Sequence, residues 1–293
     1  MNNSFNSLFK ALLCGGMMLA ANVQCEKMNL SADDADANVT IRIASYEQMP
    51  FPAATRAAVG DVCSRLNFVV FNTDGERVDQ INQSLGEDGF GVGAFNLPAG
   101  TYQLAIVAHS AAGNPTVNKR SGSKNESIAF TNDKGFTDTF FFTQRVEIGD
   151  EPVDLPVNLR RVVAKVRFVN DDAIPERADR IRFYYTGGSG SIDALTGYGN
   201  VNSQQYAWIE KSRTPFEIYT IPWQESAYLN VTIQAYADDE RLTSTDVTAI
   251  PIRRNCITTC HGPLFNGKVG KISFTLTLDD AWGTPIDFEV PTH

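Results

Sequence analysis

Residues 161–168, Arg161-Val162-Val163-Ala164-Lys165-Val166-Arg167-Phe168, place Val162, Ala164, Val166 and Phe168 at alternate positions, with Arg161, Lys165 and Arg167 between them. A period of two sends successive side chains to opposite faces of a strand, here an apolar face for a core and a cationic face for water. The same signal runs outward from this stretch. Toward the N-terminus, Val39, Ile41 and Ile43 alternate with Thr40, Arg42 and Ala44, and Tyr102, Leu104, Ile106 and Ala108 alternate with Thr101, Gln103 and Ala105. Leu66–Asn72 (LNFVVFN) is a continuous apolar run that ends in the turn Asn72-Thr73-Asp74-Gly75; Phe140–Phe142 and Val153–Leu159 add two shorter strands. Toward the C-terminus come Ile181–Tyr185, Phe216–Ile221 and Tyr228–Ala237, then Ile272, Phe274, Leu276 and Leu278 alternating with Lys271, Ser273, Thr275 and Thr277. Only Asp171–Asp179 leaves room for a short helix. Strands every ~8–15 residues with Gly and Pro punctuation predict an all-β chain built of β-sandwiches.

Two domains fit this chain better than one. Gly149-Asp150-Glu151-Pro152 is a turn near the middle, but Val153–Leu159 reads as the strand that closes the first unit, which places the boundary near Arg160. A faint internal repeat supports duplication. Leu97-Pro98 leads into Tyr102-Gln103-Leu104-Ala105-Ile106, as Ile221-Pro222 leads into Tyr228-Leu229-Asn230-Val231-Thr232-Ile233. The predicted units are residues 38–160 and 161–293.

The first 24 residues predict where the chain works. Met1–Lys10 is polar with one positive charge, and Ala11–Ala21 (ALLCGGMMLAA) is an apolar run shorter than the ~20 residues a spanning helix needs. This is the layout of a bacterial export signal, and Cys25 stands where a lipoprotein signal places the cysteine that becomes acylated. Gln24 departs from the small residue usual before that cysteine. Residues 25–37, with Asp33, Asp34 and Asp36, read as a flexible tether. Removing residues 1–24 takes away one basic residue, Lys10, and moves the net charge from −9 to −10. An acidic chain without a basic stripe argues against nucleic acid and against charge-driven binding to anionic membranes, so attachment to the outer membrane is expected through lipid on Cys25. With Cys25 acylated, Cys63, Cys256 and Cys260 remain, and at least one thiol is left over from any pairing. Whether Cys63 pairs with Cys256 or Cys260 stays open. Cys256 and Cys260 cannot bridge each other on an extended strand, where four residues span roughly 13 Å.

Four segments together resemble the fimbrillins and the FimB-type fimbrial anchor or accessory subunits of type V pili in Bacteroidota. They are Cys63–Phe71 running into Asp74-Gly75; Leu97-Pro98-Ala99-Gly100-Thr101-Tyr102; Leu159–Val166 continuing through Asp172-Ala173-Ile174-Pro175 to Arg180–Tyr185; and Ile252-Arg253-Arg254-Asn255 with Gly262 and Leu264. The resemblance spans roughly residues 38–283. It implies two tandem transthyretin-like Greek-key β-sandwich domains, a lipoprotein precursor, a place in the fimbrium at the cell outer membrane, and neighbouring fimbrillin subunits as partners. Such subunits assemble by strand complementation, in which an extended segment of one completes a sheet of the next. Arg56, within Pro52-Ala53-Ala54-Thr55-Arg56-Ala57-Ala58, is a candidate for proteolytic processing. In the family's stalk subunits an arginine-directed protease cuts such a site and releases the first strand, whereas anchor-type members keep it. Arg56 leaves both roles open. The tail after Trp282-Gly283, with Ile286, Phe288 and Val290 alternating, suits a donated strand as well as an edge strand.

Enzyme chemistry finds little support. The three histidines, His109, His261 and His293, lie in no hydrolase or metal motif, and Cys256-x3-Cys260-His261 falls short of the four ligands of a structural zinc site. Thr186-Gly187-Gly188-Ser189-Gly190-Ser191 follows a strand but lacks the Lys-Ser/Thr ending of a phosphate loop, and reads as a flexible surface loop. Asp171-Asp172 and Asp238-Asp239 read as solvated turn residues rather than a glycosidase pair. No cofactor and no metal are expected. The leading expectation is a non-enzymatic fimbrial component, an anchor or accessory subunit. The alternatives are a polymerising stalk or tip fimbrillin cut at Arg56, and a surface module for a host glycan or protein using loops such as Thr186–Asn202 with Tyr184, Tyr185, Tyr198, Tyr206 and Trp208.

Overall fold

The computed structural model describes residues 37–46, 59–117, 126–131, 136–266, 275–280 and 284–289. In the first half these hold β1 (Val39–Tyr46), a one-turn helix α1 (Val59–Val62), β2 (Arg65–Phe71), β3 (Arg77–Ser84), β4 (Val92–Phe95), β5 (Gly100–His109), β6 (Thr116–Val117), β7 (Ser127–Ala129), β8 (Phe140–Ile148) and β9 (Val153–Arg161). The second half holds β10 (Ala164–Asn170), β11 (Arg180–Thr186), β12 (Ser191–Asp193), β13 (Gln205–Glu210), β14 (Phe216–Thr220), β15 (Ser226–Ala237), β16 (Glu240–Arg253), β17 (Cys256–Gly262), β18 (Thr275–Asp280) and β19 (Thr284–Glu289). The all-β expectation is met. The short helix allowed at Asp171–Asp179 is absent; bends and turns occupy that stretch.

In the first half the strand order is β3-β2-β5-β8-β9-β1-β4, but β8 and β9 pair only at Phe140–Phe141 and Arg160–Arg161. The sheet folds there, and its two wings enclose a core of Val39, Ile41, Leu66, Phe68, Phe95, Leu104, Ile106, Phe140, Val157 and Leu159. The wings meet closely. A Cβ on Gly93 of β4 would lie 2.8 Å from the Phe68 ring of β2. In the second half the sheets β14-β10-β17-β18-β19 and β13-β11-β15-β16 enclose a separate core that includes Val166, Phe168, Ile181, Phe183, Tyr185, Phe216 and Ile233. The alternation within residues 161–168 holds from Ala164 through Phe168, all three apolar positions lying in this core. Val162 departs from it: Val162 and Val163 form the buried link between β9 and β10 and join a third cluster.

The repeat is real at the level of topology. In each half the first strand lies between an antiparallel neighbour (β4 or β14) and a parallel one (β9 or β17). The orders β3-β2-β5-β8 and β13-β11-β15-β16 correspond strand for strand. Register agrees too: Leu66, Phe68 and Val70 face Ala108, Ile106 and Leu104, as Ile181, Phe183 and Tyr185 face Ala235, Ile233 and Val231. Leu97-Pro98 and Ile221-Pro222 each follow the equivalent strand, β4 or β14. The tyrosines are one position out of register, because Tyr102 packs against the first core whereas Tyr228 is 67% exposed.

A small sheet, β12-β7-β6, ties the halves together, with Ser191–Asp193 of the second half pairing with Ser127–Ala129 of the first. It covers the outer face of the first half's sheet. Val69, Phe71, Ala105 and Val107 from that face pack with Ile128, Phe141, Val162, Val163, Ile192 and Ile221. This explains the unbroken apolar run at Leu66–Phe71: β2 is buried on both faces, so neither face has reason to be polar. Arg161 reinforces the junction. Its guanidinium donates to both carboxylate oxygens of Asp138 (2.7 and 2.8 Å) and to Asn255 Oδ1 (3.0 Å), and lies over the Phe140 ring.

Candidate functional site

Cys25 and Arg56, the two site residues expected from the sequence, lie outside the described residues. What the structure does place is β1, the strand that separates the anchor reading from the stalk reading. Alternation in Val39-Thr40-Ile41 makes it amphipathic, and Val39 and Ile41 are buried in the first core. Both of its edges are paired, with β4 through Val39–Arg42 and with β9 through Val39–Tyr46, so β1 fills an interior slot of its wing.

Each end of that slot is latched. At the N-terminal end the Asn38 side chain donates to Leu97 O (2.7 Å) and accepts from Leu97 N (2.9 Å), while Asn38 O accepts from Val153 N (2.8 Å). At the C-terminal end Tyr46 is buried, packs edge-on against Phe140 at 4.9 Å between centroids, and shares a hydrogen bond with Cys63 Sγ at 3.4 Å. Burial raises the pKa of both the Tyr46 hydroxyl and the Cys63 thiol, so the pair is neutral. Arg42 pairs with Asp154 and Ser45 with Asn158 across β1–β9. Pulling β1 out would uncover apolar surface on β4 and β9 and orphan a row of main-chain groups on each. Neither latch was legible from strand periodicity: Asn38 precedes the alternating run, and Tyr46 lies beyond it.

The other candidates resolve into structural roles. Cys63 belongs to the first core and Cys260 to the second, while Cys256 Sγ accepts from Arg253 Nε (3.1 Å), so neither pairing considered for Cys63 is made. Burial, with Asp171 nearby, pushes the Cys260 thiol up to about 12, and His261 points to solvent from the opposite face of β17. His109 is buried. Its Nδ1 accepts from Ala111 N (3.1 Å), which leaves Nε2 to donate to Asn67 Oδ1 (2.9 Å), and burial with a push from Arg65 lowers its pKa to about 4. Asp172 caps a turn by accepting from Leu264 N and Phe265 N.

The glycine-rich segment is not the flexible surface loop expected. Gly188, Ser189, Gly190 and Ser191 are buried, and Ser189 Oγ donates to Ser191 O (2.8 Å) and accepts from the amides of Asn200 and Val201. Its glycines serve close packing. A Cβ on Gly188 would lie 1.8 Å from Thr220 Oγ1, and Gly187, at φ +98°, has Tyr228 O where a Cβ would stand. The loop-based binding surface of Thr186–Asn202 is therefore mostly interior. Tyr185 is wholly buried as well, whereas Tyr184, Tyr206 and Trp208 line the outer face of β11 and β13 around Arg182.

The geometry gives a strand-built scaffold with a latched first strand. Comparison with known proteins agrees in kind. No curated protein matches the chain. Among solved structures it is similar to a candidate polysaccharide-binding protein of Bacteroides thetaiotaomicron, at 12% identity and a TM-score of 0.53, covering 86% of this chain and 98% of that one. It is also similar to the fimbrial anchor protein Mfa2 of Porphyromonas gingivalis (12% identity, TM-score 0.46, 85% and 98% covered) and to a fimbrial assembly protein of Parabacteroides distasonis (14%, 0.42, 85% and 97%). At these identities the first likeness is one of fold. The family evidence is of another order, since the model of the fimbrillin-A associated anchor proteins Mfa1 and Mfa2 matches residues 29–287. The chain is a non-enzymatic component of cell-surface fimbriae and belongs to the fimbrillin-A associated anchor proteins, the family of Mfa1 and Mfa2.

Proposed function

We propose that this protein is a lipid-anchored anchor or accessory subunit of the fimbrium, held in the outer membrane by acylated Cys25 and exposed at the cell surface. In this reading residues 1–24 are a lipoprotein signal, residues 25–37 a tether, and residues 38–160 and 161–293 two transthyretin-like sandwiches. The observation that carries it is the seating of β1, paired on both edges and latched by Asn38 and Tyr46. A subunit that keeps this strand is complete without a donor in that slot. Neighbouring fimbrillins are then bound by strand complementation elsewhere, at an unpaired strand edge or through the C-terminal strand Thr284–Glu289, the outermost of its sheet.

The competing role is a stalk subunit cut at Arg56. Purified protein treated with an arginine-specific protease separates the two. An anchor stays monomeric and retains β1, because the latches hold the strand even when the chain is cut at Arg56. Detergent-resistant ladders after cleavage, abolished by deleting residues 284–293, would assign the chain to the stalk instead.

A further inference from the structure

The duplicated fold differs between its halves on one side. In the first half, where the edge strands β3 and β4 come together, Gln83 reaches across. Its amide nitrogen donates to Val92 O (2.7 Å) and Gly89 O (3.3 Å), and its carbonyl oxygen accepts from Gly91 N (3.0 Å). By register with the neighbouring core strand, Leu66↔Gln83 against Ile181↔Ile209, the equivalent residue in the second half is Ile209. Ile209 carries no amide to make that tie. The space between the edge strands β13 and β14 is instead a cleft of about 460 Å³, lined by Trp208, Ile209, Glu210, Arg213, Glu217 and Tyr219 among others.

Trp208, Glu217 and Tyr219 of the lining are held in place before any ligand arrives. Trp208 is 42% exposed, yet the Arg180 guanidinium sits 4.6 Å from its ring centroid and Tyr236 packs edge-on at 5.1 Å. On the opposite lip, Glu217 is fixed by Lys165 (3.3 Å) and Arg167 (2.9 Å), and the Lys165 ammonium lies over the Tyr219 ring. Rigid aromatic rings and ion-paired carboxylates lose little side-chain entropy on binding. The chemistry narrows the ligand class. Three charged side chains on a small surface disfavour an apolar guest, and with Lys165 and Arg167 engaged by Glu217 and Glu210 set against Arg213, the lining offers an anion no surplus cation. An aromatic ring offers an apolar face and a polar tip, which suits the C–H face of a pyranose, while carboxylate and guanidinium groups pair with vicinal hydroxyls.

We propose that this cleft binds a neutral hexopyranose glycan, stacked on Trp208 with its hydroxyls held by Glu210, Glu217 and Arg213. The inference goes beyond the fimbrial role and stands on the second sandwich alone. An added peptide strand is the rival occupant, but Pro215, which withholds an N–H, lines the cleft and immediately precedes β14.

The test is an array of mannose-, galactose- and N-acetylglucosamine-terminated oligosaccharides beside uronic-acid and sialyl oligosaccharides, probed with the detergent-solubilised full chain. At least one neutral oligosaccharide should bind and perturb tryptophan fluorescence. Trp208→Ala and Glu210→Gln should each weaken it at least tenfold, while Tyr228→Ala, at an exposed tyrosine outside the cleft lining, leaves it unchanged. Glu210 is exposed, so Glu210→Gln keeps the test open if Trp208→Ala fails to fold. Binding to acidic oligosaccharides alone, no neutral oligosaccharide bound, binding indifferent to both variants, or capture of a fimbrial strand peptide in place of sugar would each overturn the proposal. Membrane fractionation of the same variants stays at wild-type level if only the cleft is affected, so failure here is distinct from failure of the anchor reading.

Discussion

His109 shows how one buried side chain sets a pH response. With Nδ1 accepting from Ala111 N and Nε2 bonded to Asn67, the ring is held neutral and its pKa falls to about 4. An unfolded chain takes up that proton near pH 6.5, whereas the folded one does not until about 4, so stability is lost as pH falls across that window. The loss amounts to roughly 3 kcal/mol at the acid end. Denaturant titrations at pH 7 and pH 4.5 should show the fall, and His109→Gln should flatten it. Gly188 gives a second test at this scale. Gly188→Ala would drive a methyl into Thr220 and break its 3.0 Å hydrogen bond to Gln205 in a buried setting, a cost of about 2 kcal/mol or more in chemical denaturation. The sequence could not reveal this glycine's role. Clustered Gly and Ser look alike in a solvated loop and in a packed polar seam, and only the chain folding back over them tells the two apart.

Among the elements, strands were the most legible because a half-buried strand prints its burial in alternation, as Ala164–Phe168 does. Strands whose outer positions are polar and inner ones mixed were missed. β3, Arg-Val-Asp-Gln-Ile-Asn-Gln-Ser, has its one buried position at the polar Gln83, and the 14-residue β16 is punctuated by Pro251. The three-residue β12 was illegible for a different reason, since it is a strand only because β7 lies beside it. That strand has the clearest prediction. Ile192 is wholly buried between the halves, so Ile192→Ala should cost roughly 2–5 kcal/mol. It should also split a single calorimetric transition into two, because the third cluster is the main apolar contact that couples the cores. A variant that unfolds in one step with unchanged midpoint would show that the small sheet carries no coupling.

At the scale of the molecule, the two halves share one strand topology but differ in their outer faces, and the difference follows from what covers them. Asn67, Val69, Ala105 and Val107 occupy the register positions of Arg182, Tyr184, Thr232 and Gln234. The first set faces mainly the shared cluster, whereas in the second Arg182, Tyr184 and Thr232 are half-buried and Gln234 is buried, with Arg182 donating to its side chain. A division near Arg160 would therefore have unequal consequences. Residues 161–293 contain their own core and should give dispersed NMR spectra when expressed alone, whereas residues 38–160 expose Val69, Phe71 and Val107 and should aggregate. For the whole particle, fractionating cells that carry Cys25→Ala tests whether this subunit's lipid holds the fimbrium to its cell. The variant protein should leave the outer membrane and intact fibres should appear in the medium; variant protein and fibres that stay with the membrane at wild-type levels would show that the lipid is not the tether.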